Sequence, residues 1–147
     1  MIRPARAEDA EAVAAIVAAA YTPYIARLGK PPGPMLDDYP RRIAQGQCWV
    51  AEQDGQLVGM LVLEESSDGL LLDNVAVAPA AQGRGIGHAL IRFTEAEAAR
   101  RGHRTIRLYT HVLMTENVAL YTRAGFIETG RVSEKGYDRV YMAKTLR

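Results

Sequence analysis

The run Asp73-Asn74-Val75-Ala76-Val77-Ala78-Pro79-Ala80-Ala81-Gln82-Gly83-Arg84-Gly85-Ile86-Gly87-His88-Ala89-Leu90 carries the strongest structural signal in the chain. It reads as an apolar strand, a proline that ends it, a glycine-rich loop and the first turn of a helix. Val75 and Val77 are β-branched with apolar neighbours, which suits a buried strand. Pro79 has no N–H for a sheet ladder, so the strand stops there. Gly83, Gly85 and Gly87 then leave the backbone bare where a helix begins at about Ile86. Unpaired N–H groups at a helix start, with no side chains over them, form an anion site suited to phosphate.

Three glycine-rich phosphate motifs compete for this loop. A P-loop requires G-x-x-x-x-G-K-[ST], and no lysine follows here. A dinucleotide fingerprint requires G-x-G-x-x-G, whereas Gly83, Gly85 and Gly87 give G-x-G-x-G. The third pattern, Q/R-x-x-G-x-G/A, is met by Gln82, Gly85 and Gly87. In this motif and in the strand before it, the sequence resembles the Gcn5-related N-acetyltransferase (GNAT) superfamily, where that signature binds acetyl-coenzyme A. The plain alternative is a glycine turn that merely lets a helix pack on a sheet. The strand, Pro79 and Gln82 at their offsets weigh against it.

Outward from this centre, the totals bound the reading. A chain of 147 residues, 48% hydrophobic and 24% charged, suits one globular domain over residues 1–147. A net charge of +1 with interspersed signs gives neither a nucleic-acid footprint nor a polybasic membrane patch. Cys48 is the only cysteine, so no internal disulfide forms. With no secretory pattern at Met1 and no apolar run of membrane length, the expected location is the cytoplasm.

Met1 to Arg6 fits an edge strand, because Pro4 does not suit a central one. Glu8 and Asp9 open an alanine-rich helix expected to reach about Ala20, with Ala12, Val13, Ile16, Val17 and Ala20 on its core face. Tyr21 to Pro40, rich in tyrosine and proline, reads as an irregular connector, and a short helix follows through Arg41, Arg42 and Ile43. Cys48–Gln53 and Leu57–Glu65 read as strands joined at Asp54-Gly55, a hairpin signal. Gly59 inside the second points to a bulge or close packing. Leu70 to Ala78 follows as a strand. After the glycine loop come a helix ended by Gly102, a strand over Thr105–Thr110, a helix over Thr115–Ala124, and a closing hairpin of Phe126–Arg131 with Tyr137–Lys144. A strand–helix–strand unit implies a right-handed crossover to a parallel neighbour.

That order is the GNAT order, and the resemblance covers most of the chain outside Tyr21–Arg42. It implies an α/β (α+β) GNAT fold: a mixed central sheet of about seven strands, four flanking helices, and fourth and fifth strands that splay apart at a bulge. The pantetheine arm of coenzyme A would lie in that gap along Val75, Ala76 and Val77, pairing with the backbone of the two valines. Its pyrophosphate would sit on the N–H groups of Gln82, Gly83, Arg84, Gly85, Ile86 and Gly87. Leu120-Tyr121-Thr122-Arg123-Ala124-Gly125-Phe126 resembles a second superfamily signature, whose tyrosine protonates the departing thiolate; the resemblance assigns this to Tyr121. Many relatives carry an asparagine seven residues earlier, where this chain has Met114; Asn117, one turn later, is the candidate substitute.

An amine attacks a thioester only when neutral, so a base is needed. Asp73, in phase with Val75 and Val77, is the first choice, with Glu65, Asp38 and His111 as alternatives. A backbone N–H near Val75 is the natural oxyanion donor. Tyr24, Asp38 and Tyr39 are the expected acceptor wall, suited to a cationic amine. His88, His103 and His111 have no metal-ligand spacing, so no metal is expected. The reading is therefore an acetyl-coenzyme A-dependent N-acetyltransferase acting on a small-molecule or peptide amine by direct transfer. It leaves a homodimer open and calls for neither nucleic acid nor membrane. An acyl-coenzyme A sensor without transferase activity is the alternative.

Overall fold

The computed structural model describes residues 1–147. The chain runs β1 (Ile2–Pro4), α1 (Ala10–Leu28), α2 (Tyr39–Ala44), β2 (Cys48–Gln53), β3 (Gln56–Ser66), β4 (Gly69–Val77), α3 (Ile86–Arg100), β5 (Thr105–His111), α4 (Thr115–Arg123), β6 (Ile127–Glu134) and β7 (Tyr137–Thr145). One seven-stranded sheet has the order β1-β2-β3-β4-β5-β7-β6. Only β4 and β5 run parallel, joined by the α3 crossover; every other pair is antiparallel. Pro4 sits on the edge strand β1, where its missing donor costs nothing.

Alternation along the central strands divides the core between the two faces of the sheet. Leu61, Leu63, Leu72 and Leu108 pack with Leu90, Ile91 and Phe126 on the α3 side. Val50, Met60, Val62 and Ala76 pack with Val13, Ile16, Val17 and Tyr21 on the α1 side. Gly59 belongs to this packing, since a Cβ there would meet the Ala76 carbonyl, Ile86 and Leu90, each at 3.2 Å.

The first helix is longer than the sequence suggests. α1 passes Ala20, carries Pro23 inside it and ends only at Gly29. An interior proline normally breaks a helix. Here Tyr21 extends the stripe of Val13, Ile16 and Val17 into the core, and Arg27 anchors the last turn to Glu116 of α4 at 2.7 Å. Tertiary contacts on both sides of Pro23 hold the helix together, and the irregular connector shrinks to about residues 29–38. No helix is long and apolar enough to cross a membrane.

The separation of β4 from β5 is the feature that makes a site. Their ladder is confined to Leu70–Ile106 and Leu71–Arg107. Just beyond, the register of β3 with β4 shifts, Leu63 pairing with Leu72 and Val62 with Asn74, so Asp73 is the extra residue of a bulge. From there to Val77, β4 remains paired with β3 alone, while β5 stays with β7 through His111.

Candidate active site

The gap opens on two adjoining spaces. The larger, a cleft of about 650 Å³, runs from the edge of β4 to the start of α3, with α1 and α4 as its sides. Ala78 donates its N–H to Val58, so by alternation Val75 and Val77 turn their peptide groups into the gap. The Val75 carbonyl accepts the Tyr21 hydroxyl at 3.0 Å, and the Val77 carbonyl accepts Gln82 Nε2 at 3.3 Å. Gly83 and Gly85 have φ of +82° and +80°, the left-handed region that glycine enters without steric cost. The loop therefore presents bare backbone at the N-terminus of α3. His88 and Arg123 also line this cleft, whereas Arg84 is exposed and outside it.

The second space, about 280 Å³, lies between the α1–α2 connector and strands β4, β5 and β7. Tyr21 and Asn117 line both spaces, so the two meet at these residues. Its charged rim centres on Arg42, which reaches Asp37 at 3.0 Å, Asp73 at 3.3 Å and Glu64 at 3.7 Å and donates to Gln47 at 2.9 Å. Three carboxylates on one guanidinium leave an acidic excess. Burial pushes Asp73 up from the ordinary aspartate range, and the nearby Arg42 offsets only part of that rise.

Tyr121 stands edge-on to Phe126 at 6.0 Å with its ring buried, and its hydroxyl, which makes no hydrogen bond within the protein, opens to the second cavity. Burial first, and the Asp73 charge second, push its pKa well above the ordinary tyrosine range. It is neutral at any physiological pH.

Of the residues singled out in the sequence, Tyr121 and Asp73 line the same cavity, and Asn117 stands where it meets the cleft. Met114 is buried beside Thr110 and helps line the smaller space. Tyr24 falls in the cleft instead, with Arg27 stacked over its ring at 4.9 Å. Asp38 lies outside both; its carboxylate caps α2 by accepting the Arg41 N–H at 3.1 Å. Tyr39 is buried behind the cavity wall, donating to Pro34 and accepting from Asn74 Nδ2 at 3.0 Å. The carboxylate of the connector that faces the cavity is Asp37. Among the alternative bases, His111 lines the cavity, but Glu65 is tied to His103 at 2.8 Å away from it. Cys48 is buried, its thiol pushed up to about 12 by desolvation, which leaves no thiolate for nucleophilic attack.

Sequence reasoning missed Tyr21, Asp37, Arg42, Tyr109 and Arg139. Tyr21 had a readable signal: it lies four residues beyond Val17, on the same helical face. The others come together only through the fold.

The acetyltransferase (GNAT) domain matches residues 44–128, more than half of the chain, and the protein belongs to this family. It is 34% identical over 93 residues to N-acetyltransferase family 8 member 2 of Rattus norvegicus, a match covering 59% of this chain and 41% of that protein. It is 40% identical over 91 residues to mycothiol acetyltransferase of Cellulomonas flavigena, covering 54% of this chain and 26% of that one. The chain thus spans less than half the length of these curated relatives. Among solved structures, the PaiA N-acetyltransferase of Thermoplasma acidophilum in complex with coenzyme A superposes with a TM-score of 0.79 at 20% identity, covering 99% of this chain and 98% of that one. At that identity the likeness speaks for the fold.

Proposed function

We propose that the protein is an acetyl-coenzyme A-dependent N-acetyltransferase that passes acetyl directly to a primary amine in a ternary complex. The observation that carries this is the junction at Tyr21 and Asn117. A thioester lying in the β4–β5 gap adjoins an amine held beside Asp37 and Asp73 in the cavity, without either leaving its place. Coenzyme A, found in the Thermoplasma acidophilum complex, suits the cleft chemically. Its pyrophosphate suits the bare N–H groups of Gly83 to Gly87, with His88 and Arg123 beside them, whereas the Gln82 N–H is already given to the Pro79 carbonyl at 3.3 Å. Its pantetheine amides suit the N–H groups of Val75 and Val77 that face the gap, whereas Ala76 turns its peptide groups to β3.

In this reading Asp73 takes the proton that an ammonium must lose, directly or through water. Its raised pKa brings it nearer the operating pH, where a general base is most effective. The freed amine forms the new C–N bond, and the N–H of Val75 faces the oxygen on which charge develops. As the C–S bond breaks, Tyr121 gives its proton to the departing thiolate, and the proton shed by the newly acylated nitrogen restores Tyr121 through water. Calorimetry with acetyl-coenzyme A, together with thiol release in the presence of a panel of primary amines, tests the proposal. Binding with release that depends on the amine is expected. Binding without transfer to any amine would make the protein an acyl-coenzyme A sensor, and absence of binding would remove both readings.

A further inference from the structure

We propose, on the basis of that acetyltransferase reading, that the acceptor is a small amine carrying its own anionic group, of amino-acid type, and not a polypeptide. The second cavity is dipolar. Asp37 and Asp73, sharing Arg42 with Glu64, make its acidic end on the connector and β4. Arg139 lines it from β7, with its guanidinium over the Tyr109 ring at 4.3 Å and NH1 on Glu134 at 3.0 Å. Asp73 and Arg139 both act on Tyr109, which stands between them on β5. In the order β4-β5-β7 their strands are two places apart, and because β4 has already left β5 at Asp73 the gap between them exceeds the roughly 10 Å of ordinary sheet spacing. Side chains reaching inward from both strands leave room for a ligand whose opposite charges are a few bonds apart. An ammonium at Asp73 shares the cavity with Tyr121, on the side where the thioester is expected. A carboxylate, or a phosphate of like reach, then meets Arg139, whose planar fork suits either.

The walls argue for a small ligand. The connector is fastened to the β6–β7 turn across the cavity: the Tyr137 hydroxyl donates to the Pro31 carbonyl at 2.6 Å. The Lys30 ammonium lies 4.1 Å from the Tyr137 ring centre and donates to the Gly136 carbonyl. A polypeptide threaded between connector and turn would have to break these contacts. The cavity's volume, about 280 Å³, matches a compact metabolite.

The test compares a series of ω-amino carboxylates with alkylamines in which methyl replaces the carboxylate, and with short peptides bearing the same free amine. The readout is thiol release at saturating acetyl-coenzyme A. The kcat/KM of the best amino carboxylate should exceed that of its methyl counterpart by roughly 10–100-fold, the range of one charge-assisted contact. Arg139→Gln should bring this ratio close to one, and Arg139→Lys should keep part of it. Circular dichroism checks that both variants are folded. A wild-type ratio near one, an unchanged ratio in folded Arg139→Gln, or a preference for the peptides would overturn the inference while leaving the acetyltransferase reading intact. Binding of acetyl-coenzyme A without transfer to any of these amines would overturn both.

Discussion

The two halves of the site are made of different material. The cleft is built from main chain: a strand edge left unpaired by the splay, a glycine loop and the first N–H groups of α3. The cavity is built from side chains that arrive on α1, α2, the connector, β4, β5, α4 and β7. A site made of backbone recognises what many ligands share, a pyrophosphate and a run of amides, and its demands fall on a few glycines. A site made of side chains recognises what is particular to one ligand. In the proposed reading, acceptor choice therefore resides on this side.

Gly85→Val attacks the main-chain half. A Cβ at this position points into open space, so no packing is lost inside the protein, but φ of +80° costs a β-branched residue about 1–2 kcal/mol. The side chain would stand over N–H groups meant for pyrophosphate. Loss of one or two charge-assisted bonds weakens binding by about 10–10⁴-fold. Calorimetry with acetyl-coenzyme A on folded protein should show it. Wild-type affinity would refute the assignment of the loop.

Tyr121→Phe comes next and tests the side-chain half. The ring keeps its contact with Phe126 and only the proton donor is lost. General acids contribute about 10²–10⁴-fold, and a thiolate is a good leaving group, so a fall in kcat near the lower end is expected with cofactor affinity unchanged. A hydroxyl that only held the cofactor would weaken binding and spare kcat.

Asp73→Asn separates chemistry from stability. With Asp73 as base, kcat/KM should rise with pH through its elevated pKa, and the variant should lose this limb along with activity, by about 10²-fold. The stability effect has the opposite sign from that of an ordinary paired carboxylate. Folding raises the pKa, so the contribution is fully present below the ordinary value of 3.8 and is lost as pH rises through the folded value. At neutral pH the variant removes a buried charge, and Arg42 keeps Asp37 and Glu64. Denaturation at pH 7 should show little loss. A large one would make Asp73 a structural partner of Arg42 first of all.

The same division explains what the sequence discloses. The strand, Pro79 and the glycine spacing lie within one short segment, where local rules apply, and the order of elements follows from similar signals. Tyr121 lies four residues before Gly125, again a local pattern. Asp37, Arg42, Tyr109 and Arg139 have no such pattern, because they meet only when the connector folds over the sheet. Pro23 was misleading for a related reason: helix propensity ends α1 near Ala20, while burial of Tyr21 and the Arg27–Glu116 pair carry it to Leu28. The bulge at Asp73 is equally silent in a strand whose alternation looks unbroken on both sides.

Two adjacent carboxylates offer the finest test of where the side-chain half begins. Asp37 faces the cavity and pairs with Arg42 at 3.0 Å; Asp38 is exposed and caps α2. Asp37→Asn leaves the shape and removes one charge facing the ammonium. A contact of about 1 kcal/mol corresponds to roughly a fivefold rise in the acceptor's apparent KM. Asp38→Ala should leave that KM alone and cost about 1 kcal/mol of stability through the lost cap. The two effects should not cross over: acceptor titrations distinguish Asp37, and urea denaturation distinguishes Asp38. A KM effect at Asp38 with none at Asp37 would place the acceptor on the outer face of the connector, and the cavity wall drawn here would be the wrong one.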